Sequence, residues 1–118
     1  MFHDIRHAHR KFGHPAPVGP VHMLDHELFN FRMSLIHEEV EELANADSLA
    51  EVCGEAADLL YVTVGLFVAL GIPYQPFFDA IHAANMAKIP NGRGKWKKPE
   101  GWTPPDLCAV LYNLRRNS

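Results

Sequence analysis

The sequence predicts an all-α fold, and three features of the 118-residue chain support this. Apolar residues recur at helical spacing along residues 23–46, and they fill residues 59–70 almost completely. Signals that end helices separate these segments, namely "ADS" at residues 46–48 and the pair Gly71 and Pro73. No segment alternates apolar and polar residues as a half-buried strand does. We therefore expect antiparallel helices around a shared core.

Five helices and two irregular segments follow from these signals. The first loop is "GHPAPVGP", and the second is "IPNGRGKWKKPEGWTPP", whose glycines and prolines predict a basic loop without regular structure. The helix after "ADS" should have Asp47 or Ser48 as its N-cap. The expected helices are Asp4–Phe12, Met23–Ala46, a third helix from the Asp47 or Ser48 cap to Leu70, Gln75–Ala87 and Pro105–Arg115.

Length and composition predict one domain over residues 1–118 and a cytoplasmic protein. The cysteines, Cys53 and Cys108, match no zinc or redox spacing and are expected to be free thiols. The first residues are rich in His and Arg and do not resemble a signal peptide. The longest apolar run, Leu59–Leu70, is shorter than the roughly 20 residues that span a membrane, so no membrane partner is expected.

Charge is distributed unevenly along the chain although the net charge is only −3. No Lys or Arg occurs between Arg32 and Lys88, and five of the eleven basic residues lie in Lys88–Lys98. The chain thus has an acidic middle and a basic segment after it. Because the rest of the chain is acidic, we expect no nucleic-acid partner.

The stretch "LIHEEVEEL" places four glutamates in a helix that is otherwise apolar. On a wheel of about 100° per residue with Glu38 at zero, the apolar residues cover about 20° to 200°. Glu42 and Glu39 fall inside this arc, Glu38 lies at its edge, and only Glu41 clearly points to water. Three of the four glutamates are therefore expected to face the core.

The next helix adds two acidic residues at one face. Glu55 and Asp58 are three positions apart, and Asp58 is the sole charge between Ala56 and Ile72. Five carboxylates should therefore converge from two helices with no basic residue nearby in sequence. Buried carboxylates without a counter-charge have raised pKa values, and a bound cation removes the problem. All-oxygen ligands favour Mg²⁺, with Mn²⁺ as the other choice.

Other interpretations of the acidic residues were weighed. A charge run is often a solvated helix face, but the inward phase and the second Glu-x-x-Asp argue against this. Di-iron bundles need Glu-x-x-His pairs, and no Glu in this sequence has a His three residues later. His22 and His26 lack the Glu of a zinc protease motif, since Met23 stands there, so they are expected to be solvated or close to substrate.

The basic segment is predicted to bind the phosphates that commonly complete a Mg²⁺ shell. Lysines suit phosphate oxygens, and a tryptophan face can stack on a base. The alternative is a solvated loop. The substrate-binding candidates are Asn85, Lys88, Arg93, Lys95, Lys98 and Trp102, with Lys97 and Trp96 beside them.

These motifs resemble a known family. Glu38-Glu39-x-x-Glu42, followed after twelve residues by Glu55-x-x-Asp58, is similar to the EExxE–ExxD signature of the all-α NTP pyrophosphohydrolases. These are the MazG-like and phosphoribosyl-ATP-pyrophosphohydrolase-like proteins. "FGHPAPVGP", "ANMAK" and "KPEGWTPPDLCAVL" resemble the MazG-like subgroup that includes a deinococcal dUTP-hydrolysing member.

The resemblance implies a helix bundle completed by dimerisation, with a dimer or tetramer as the assembly. It implies Mg²⁺-dependent cleavage of a nucleoside triphosphate to monophosphate and pyrophosphate, in nucleotide-pool house-cleaning. Glu39, Glu42, Glu55 and Asp58 match metal ligands, and Glu38 matches a general base or a ligand of a second metal. Asn85 and Lys88 match a polar and basic pair near the phosphates.

Three points stay open at this level. A non-catalytic, metal-stabilised dimerisation module would keep the acidic cluster without needing the lysines. Hydrolysis of phosphoribosyl-ATP is a second enzymatic alternative, which the "KPEGW" resemblance disfavours. Phe12, His14 and Tyr61 either shape a base pocket, together with the tryptophans, or serve as core aromatics.

Overall fold

The computed structural model of the chain describes residues 1–18 and 23–116. Within these residues, five helices and one very short hairpin form two compact units, Met1–Pro73 and the chain from Tyr74 onward. The prediction of an all-α fold is confirmed, while the single domain over residues 1–118 stays a prediction. The elements are α1 (Phe2–Phe12), α2 (His26–Ala44), α3 (Leu49–Leu70), α4 (Gln75–Met86), β1 (Ile89–Pro90), β2 (Trp96–Lys97) and α5 (Leu107–Arg116).

Local capping decides where the helices begin and end. Ser48 caps α3 as expected, since its Oγ accepts a hydrogen bond from the Glu51 N–H at 3.1 Å. Gly71 ends α3 with φ 72°, a left-handed conformation that favours glycine. The start of α2 was predicted three residues too early, because Asp25 is the N-cap and its Oδ1 accepts from the Leu28 N–H at 2.8 Å.

Helix α3 is the central element of the first unit and packs against both α1 and α2. Its C-terminal half supplies three of the five buried apolar side chains in the described residues: Val64, Val68 and Ala69. The other two are Ile5 of α1 and Ile72, which follows the Gly71 cap. The core thus lies at the end of α3 opposite the helix start that carries Glu51 and Glu55.

By length and composition alone, α3 could cross a membrane, as core helices of water-soluble proteins also could. Its 22 residues include Glu51 and Glu55 in the first two turns and Asp58 near the middle. A charged side chain at the centre of a bilayer costs about 2.5–3.5 kcal/mol or more. We therefore interpret α3 as the core helix of its unit.

The second unit contains the basic segment between α4 and α5, which pack against each other. This segment was predicted to lack strands, and that prediction was wrong for four residues. β1 and β2 pair antiparallel, and the Asn91 N–H donates to the Lys95 O at 2.9 Å. Gly92 and Gly94, each with φ 79°, allow the tight turn between the strands.

Candidate active site

Three predicted metal ligands meet between α2 and α3. One carboxylate oxygen each from Glu39, Glu42 and Glu55 lies within 4.8 Å of the other two. Glu39 and Glu42 are three residues apart on α2 and so occupy neighbouring positions on its surface, while Glu55 comes from α3. We call these three residues the carboxylate trio. Three oxygen donors at this spacing have the chemistry that a hard divalent cation requires.

Two oxygens of the trio lack the hydrogen bonds that their burial demands. Oε2 of Glu39 and Oε2 of Glu55 are shielded from solvent and have no hydrogen-bond partner among the described residues. A buried acceptor left without a donor carries the full cost of its desolvation. A cation between these oxygens would remove that cost, so the residues present fit a metal ion.

The electrostatics of the trio support the same conclusion. Partial burial, with the charges of Glu42 and Asp58 next in importance, raises the pKa of Glu39 to about 7. Partial burial is also the main cause of the raised pKa of Glu55, and interactions with Glu42 and Asp58 raise it further. The trio therefore holds its negative charge poorly at neutral pH in the absence of a positive partner.

The remaining two predicted acidic residues lie at the edge of the trio. Asp58 is solvent-exposed but close enough for its charge to act on Glu39 and Glu55. Glu38 is also exposed and lines an open cleft of about 440 Å³ beside the trio. The cleft is lined by Glu38, Glu41, Glu42, Asn45, Ala46, Glu51 and Glu55.

The burial pattern on α2 corrects the expectation from the helical wheel. Glu39 is half-buried as predicted, but Glu42 is exposed, although it was placed inside the apolar arc. Glu41, expected to point only to water, is exposed and lines the cleft. The apolar arc includes Phe31 and Val40, which are also exposed, so α3 covers a narrower strip of α2 than the arc suggests.

One acidic residue of the cleft has a structural role. Oε2 of Glu51 accepts a hydrogen bond from the Asp47 N–H at 2.8 Å, while the Glu51 N–H donates to Ser48 Oγ. This reciprocal pair is a capping box that fixes the start of α3. Glu51 is therefore less available as a ligand than Glu55, which lies one turn further along.

The predicted substrate-binding residues all fall in the second unit, where Trp102 organises part of them. Trp102 Nε1–H donates to the Ala84 carbonyl at 2.8 Å, which attaches the basic segment to α4. The Nζ atoms of Lys88 and Lys98 lie 5.2 and 5.1 Å from the Trp102 ring centroid. These distances are in the range of cation–π contacts.

The other candidates of this segment lie on the hairpin or beside it. Oδ1 of Asn91 accepts from the backbone N–H groups of Arg93 at 2.7 Å and Lys95 at 3.2 Å, and both side chains are exposed. Asn85 is half-buried at the end of α4, and its carbonyl accepts from the Lys88 N–H at 3.0 Å. Exposed cations on an ordered turn remain available to a phosphate group.

Sequence reasoning missed a buried cation in the first unit. Arg32 of α2 is only 3% exposed, and its guanidinium lies against Gly65 of α3, where any side chain would collide with it. His9 of α1 lies at the same place and is 6% exposed. The wheel already contained a signal, since Arg32 falls near about 120°, in the middle of the apolar arc.

The histidines considered as zinc ligands do not form a cluster among the described residues. His26 is exposed at the first position of α2, and His22 lies outside the described residues.

A family model for phosphoribosyl-ATP pyrophosphohydrolase matches residues 5–85, which is more than half of the chain. The matched range contains the carboxylate trio, Glu38 and Asp58, and it ends at Asn85. The basic segment from Lys88 to Trp102 lies beyond it. No curated protein matches the chain.

Proposed function

Because the chain belongs to the phosphoribosyl-ATP pyrophosphohydrolase family, we propose that it is a Mg²⁺-dependent enzyme that hydrolyses a (deoxy)nucleoside triphosphate to monophosphate and pyrophosphate. Family membership by itself gives an enzyme of the pyrophosphohydrolase type. The deinococcal subgroup, the metal and the triphosphate substrate, dUTP among the candidates, are the proposed parts.

One observation carries the proposal, namely the pair of buried and unpartnered oxygens in the carboxylate trio. Glu39 and Glu55 each have an oxygen that no group in residues 1–18 and 23–116 satisfies, and Glu42 adds a third carboxylate oxygen within 4.8 Å. We propose that Glu39, Glu42 and Glu55 hold Mg²⁺, or Mn²⁺ in its place, with Asp58 as the fourth ligand. When bound, the ion would neutralise phosphate charge and make a water molecule more acidic.

The chain's own residues have distinct roles in this proposal. Glu38, exposed in the cleft beside the trio, accepts the proton of the attacking water. Lys88 and Lys98, with Arg93 and Lys95, bind the β and γ phosphates and stabilise the charge of the leaving pyrophosphate. Asn85 positions the phosphates. The enzyme would act in the cytoplasm on the nucleotide pool.

A second substrate, phosphoribosyl-ATP, is favoured by the description of the family model itself. The "KPEGW" resemblance favours nucleoside triphosphates instead. A panel of dNTPs, NTPs and phosphoribosyl-ATP with Mg²⁺, followed by pyrophosphate release, separates the two. Turnover of at least one dNTP well above that of phosphoribosyl-ATP is expected. Hydrolysis of phosphoribosyl-ATP alone would refute the main proposal, and no hydrolysis of any compound would favour the non-catalytic module.

The bond that is cleaved can be tested with ¹⁸O-labelled water. Attack at the α phosphorus puts the label into the nucleoside monophosphate, which is the expected result. Label in pyrophosphate, or free phosphate with a diphosphate as first products, would contradict the proposed reaction.

We also propose a homodimer or a tetramer as the working assembly. Leu60 on α3 is half exposed, and Val52 of the same helix is 42% exposed, which is unusual for the central helix of a small unit. Light scattering at low micromolar concentration should give the mass of two or four chains. A monomeric mass would rule out this part of the proposal.

A further inference from the structure

A second cavity in the first unit lies close to the carboxylate trio. It has a volume of about 210 Å³ and is lined by Ala8, His9, Phe12, His14, Arg32, Leu35, Tyr61 and Val62. Leu35 is one helical turn before Glu39, and Val62 is one turn after Asp58. At a rise of 1.5 Å per residue, the cavity is displaced by about 6 Å along the helices from the acidic residues.

One side chain in the wall of this cavity has a buried hydrogen-bond donor without an acceptor among the described residues. Arg32 lines it and is 3% exposed, and no acceptor among the described residues reaches its Nε–H. Removing a guanidinium N–H from water without a new partner is costly. The absence of a side chain at Gly65 leaves the space that the Arg32 head occupies. This combination is more typical of a ligand-binding residue than of a packing residue.

An acceptor lies close to the guanidinium head of Arg32. His9 Nδ1–H donates to the Pro15 carbonyl at 2.8 Å, which leaves Nε2 of the neutral ring as an acceptor. Desolvation, with Arg32 contributing further, lowers the pKa of His9 and keeps the ring neutral. Nε2 and the Arg32 guanidinium lie side by side at Gly65.

The remaining lining is apolar and includes two exposed aromatic rings. Phe12 is 68% exposed and Tyr61 is 47% exposed, so neither is a core aromatic. His14 stacks on Phe31 with ring centroids 6.1 Å apart. Mostly apolar walls with a few polar groups suit a flat, neutral ring better than a phosphate.

We propose that this cavity holds the nucleobase of the substrate, with the Arg32 Nε–H donating to a ring carbonyl oxygen. Uracil, thymine, cytosine, guanine and hypoxanthine carry such an oxygen, whereas adenine does not. The inference rests on the proposed function, and it names the substrate class as triphosphates of oxo-bearing bases. It also disfavours phosphoribosyl-ATP, whose base is adenine.

Inosine and adenosine provide a matched test because they differ at the six-position, a carbonyl in one and an amino group in the other. Each is titrated into the metal-free protein in EDTA, and the ring signals of His9 and His14 are followed by NMR. We expect saturable shifts with inosine and deoxyuridine, and at least roughly tenfold weaker binding of adenosine. Equal binding of inosine and adenosine, or shifts with inorganic phosphate instead, would overturn the proposal.

Variants separate the donor from the stacking surface. Arg32→Met replaces the side chain as far as the Nε position with an unbranched apolar chain and removes the guanidinium, so the preference for inosine should fall to about twofold or less. Phe12→Ala should weaken both nucleosides alike, and Tyr112→Ala, an exposed tyrosine of α5, should weaken neither. A preference that survives in folded Arg32→Met protein contradicts the role of Arg32. If that variant does not fold, the nucleoside pair on the wild-type chain decides.

Turnover gives an independent measurement. The ratio of kcat/KM for dITP over dATP with Mg²⁺ should be at least roughly ten. Hydrolysis with a ratio near one overturns the base-pocket inference but leaves the proposed function intact. Selective binding of inosine without any hydrolysis has the opposite meaning, because it supports the pocket and refutes the enzyme.

Discussion

The carboxylate trio of the first unit and the basic segment of the second unit differ in how their charges are stabilised. In the trio, one buried oxygen each of Glu39 and Glu55 has no hydrogen-bond partner in the part of the chain that the structure describes. In the basic segment, Lys88 and Lys98 lie over Trp102, whose N–H donates to the Ala84 carbonyl. The two buried oxygens of the trio thus lack a partner among the described residues, whereas the lysines of the basic segment contact a side chain that is itself hydrogen-bonded.

This difference indicates which of the two regions lowers the stability of the folded state for the sake of function. Unpaired, partly buried carboxylates destabilise the folded state, so their removal should cost activity but not stability. Cation–π contacts contribute about 0.5–1 kcal/mol each when exposed. Removal of Lys88 or Lys98 also removes its cation–π contact with Trp102. It should therefore affect activity more than stability only if the phosphate contact of the lysine contributes more free energy than this cation–π contact.

The largest expected effect is the loss of activity when the trio is altered. Glu39→Gln and Asp58→Asn should each lower kcat by orders of magnitude, because each removes a negative charge from the proposed Mg²⁺ site. EDTA should abolish pyrophosphate release, and Mg²⁺ or Mn²⁺ should restore it. Glu27→Gln, an exposed change in the first turn of α2, is the matched control.

Two outcomes would remove the contrast between the regions. Full activity in excess EDTA would show that no metal is needed. A strong loss of melting temperature in Glu39→Gln would show that the trio stabilises the fold by itself, contrary to its unpartnered oxygens.

The next effect concerns the lysines of the basic segment. Lys88→Ala and Lys98→Ala each remove a charge-assisted phosphate contact of about 1.5–3 kcal/mol, or roughly 10- to 150-fold in kcat/KM. Their melting temperatures should change little. Arg10→Ala, an exposed basic residue of α1 outside the basic segment, serves as the control. Trp102→Ala should lower the melting temperature, since it removes the hydrogen bond to Ala84.

Parallel measurements of kcat/KM and melting temperature sharpen this test. If Lys88→Ala and Lys98→Ala lose activity and stability to the same degree as Trp102→Ala, both lysines are structural. The basic segment would then belong to the fold, and phosphate binding would need other residues.

The smallest expected effect is a pH-dependent change in the stability of the metal-free protein. The pKa of Glu39 is raised from 4.5 to about 7. Between these two pH values the folded state therefore binds more protons than the unfolded state. The contribution of Glu39 is therefore fully present below about pH 4.5 and is lost as pH rises through about 7. His9, whose pKa is lowered, acts in the opposite direction.

Comparison of wild type with Glu39→Gln isolates the carboxylate from His9. In EDTA the two should melt at similar temperatures at pH 5, and the variant should melt at the higher temperature at pH 8. Mg²⁺ should raise the melting temperature of wild type more than that of the variant at pH 8. A constant difference across this pH range would show that Glu39 has an ordinary pKa.

Local sequence signals were sufficient to predict the helices and to identify the acidic residues. The caps at Ser48 and Gly71 depend on groups within a few residues, so local rules locate them. The three-residue spacings of Glu39 with Glu42 and Glu55 with Asp58 place each pair on one helix face whatever surrounds the helix. The glycines of the hairpin turn within residues 89–97 are also visible in the sequence. Strands of two residues, however, are too short to show an alternation of apolar and polar residues.

Which of these groups lie close together depends on how the helices pack. The packing of α2 on α3 brought Glu39, Glu42 and Glu55 together, left Glu42 exposed and buried Arg32 against Gly65. A helical wheel gives the direction of a side chain but not the width of the strip that a neighbouring helix covers. The bond from Trp102 to Ala84 spans 18 residues and depends on how the chain returns to α4. Contacts between distant residues depend on this packing, and local sequence rules do not reach that far.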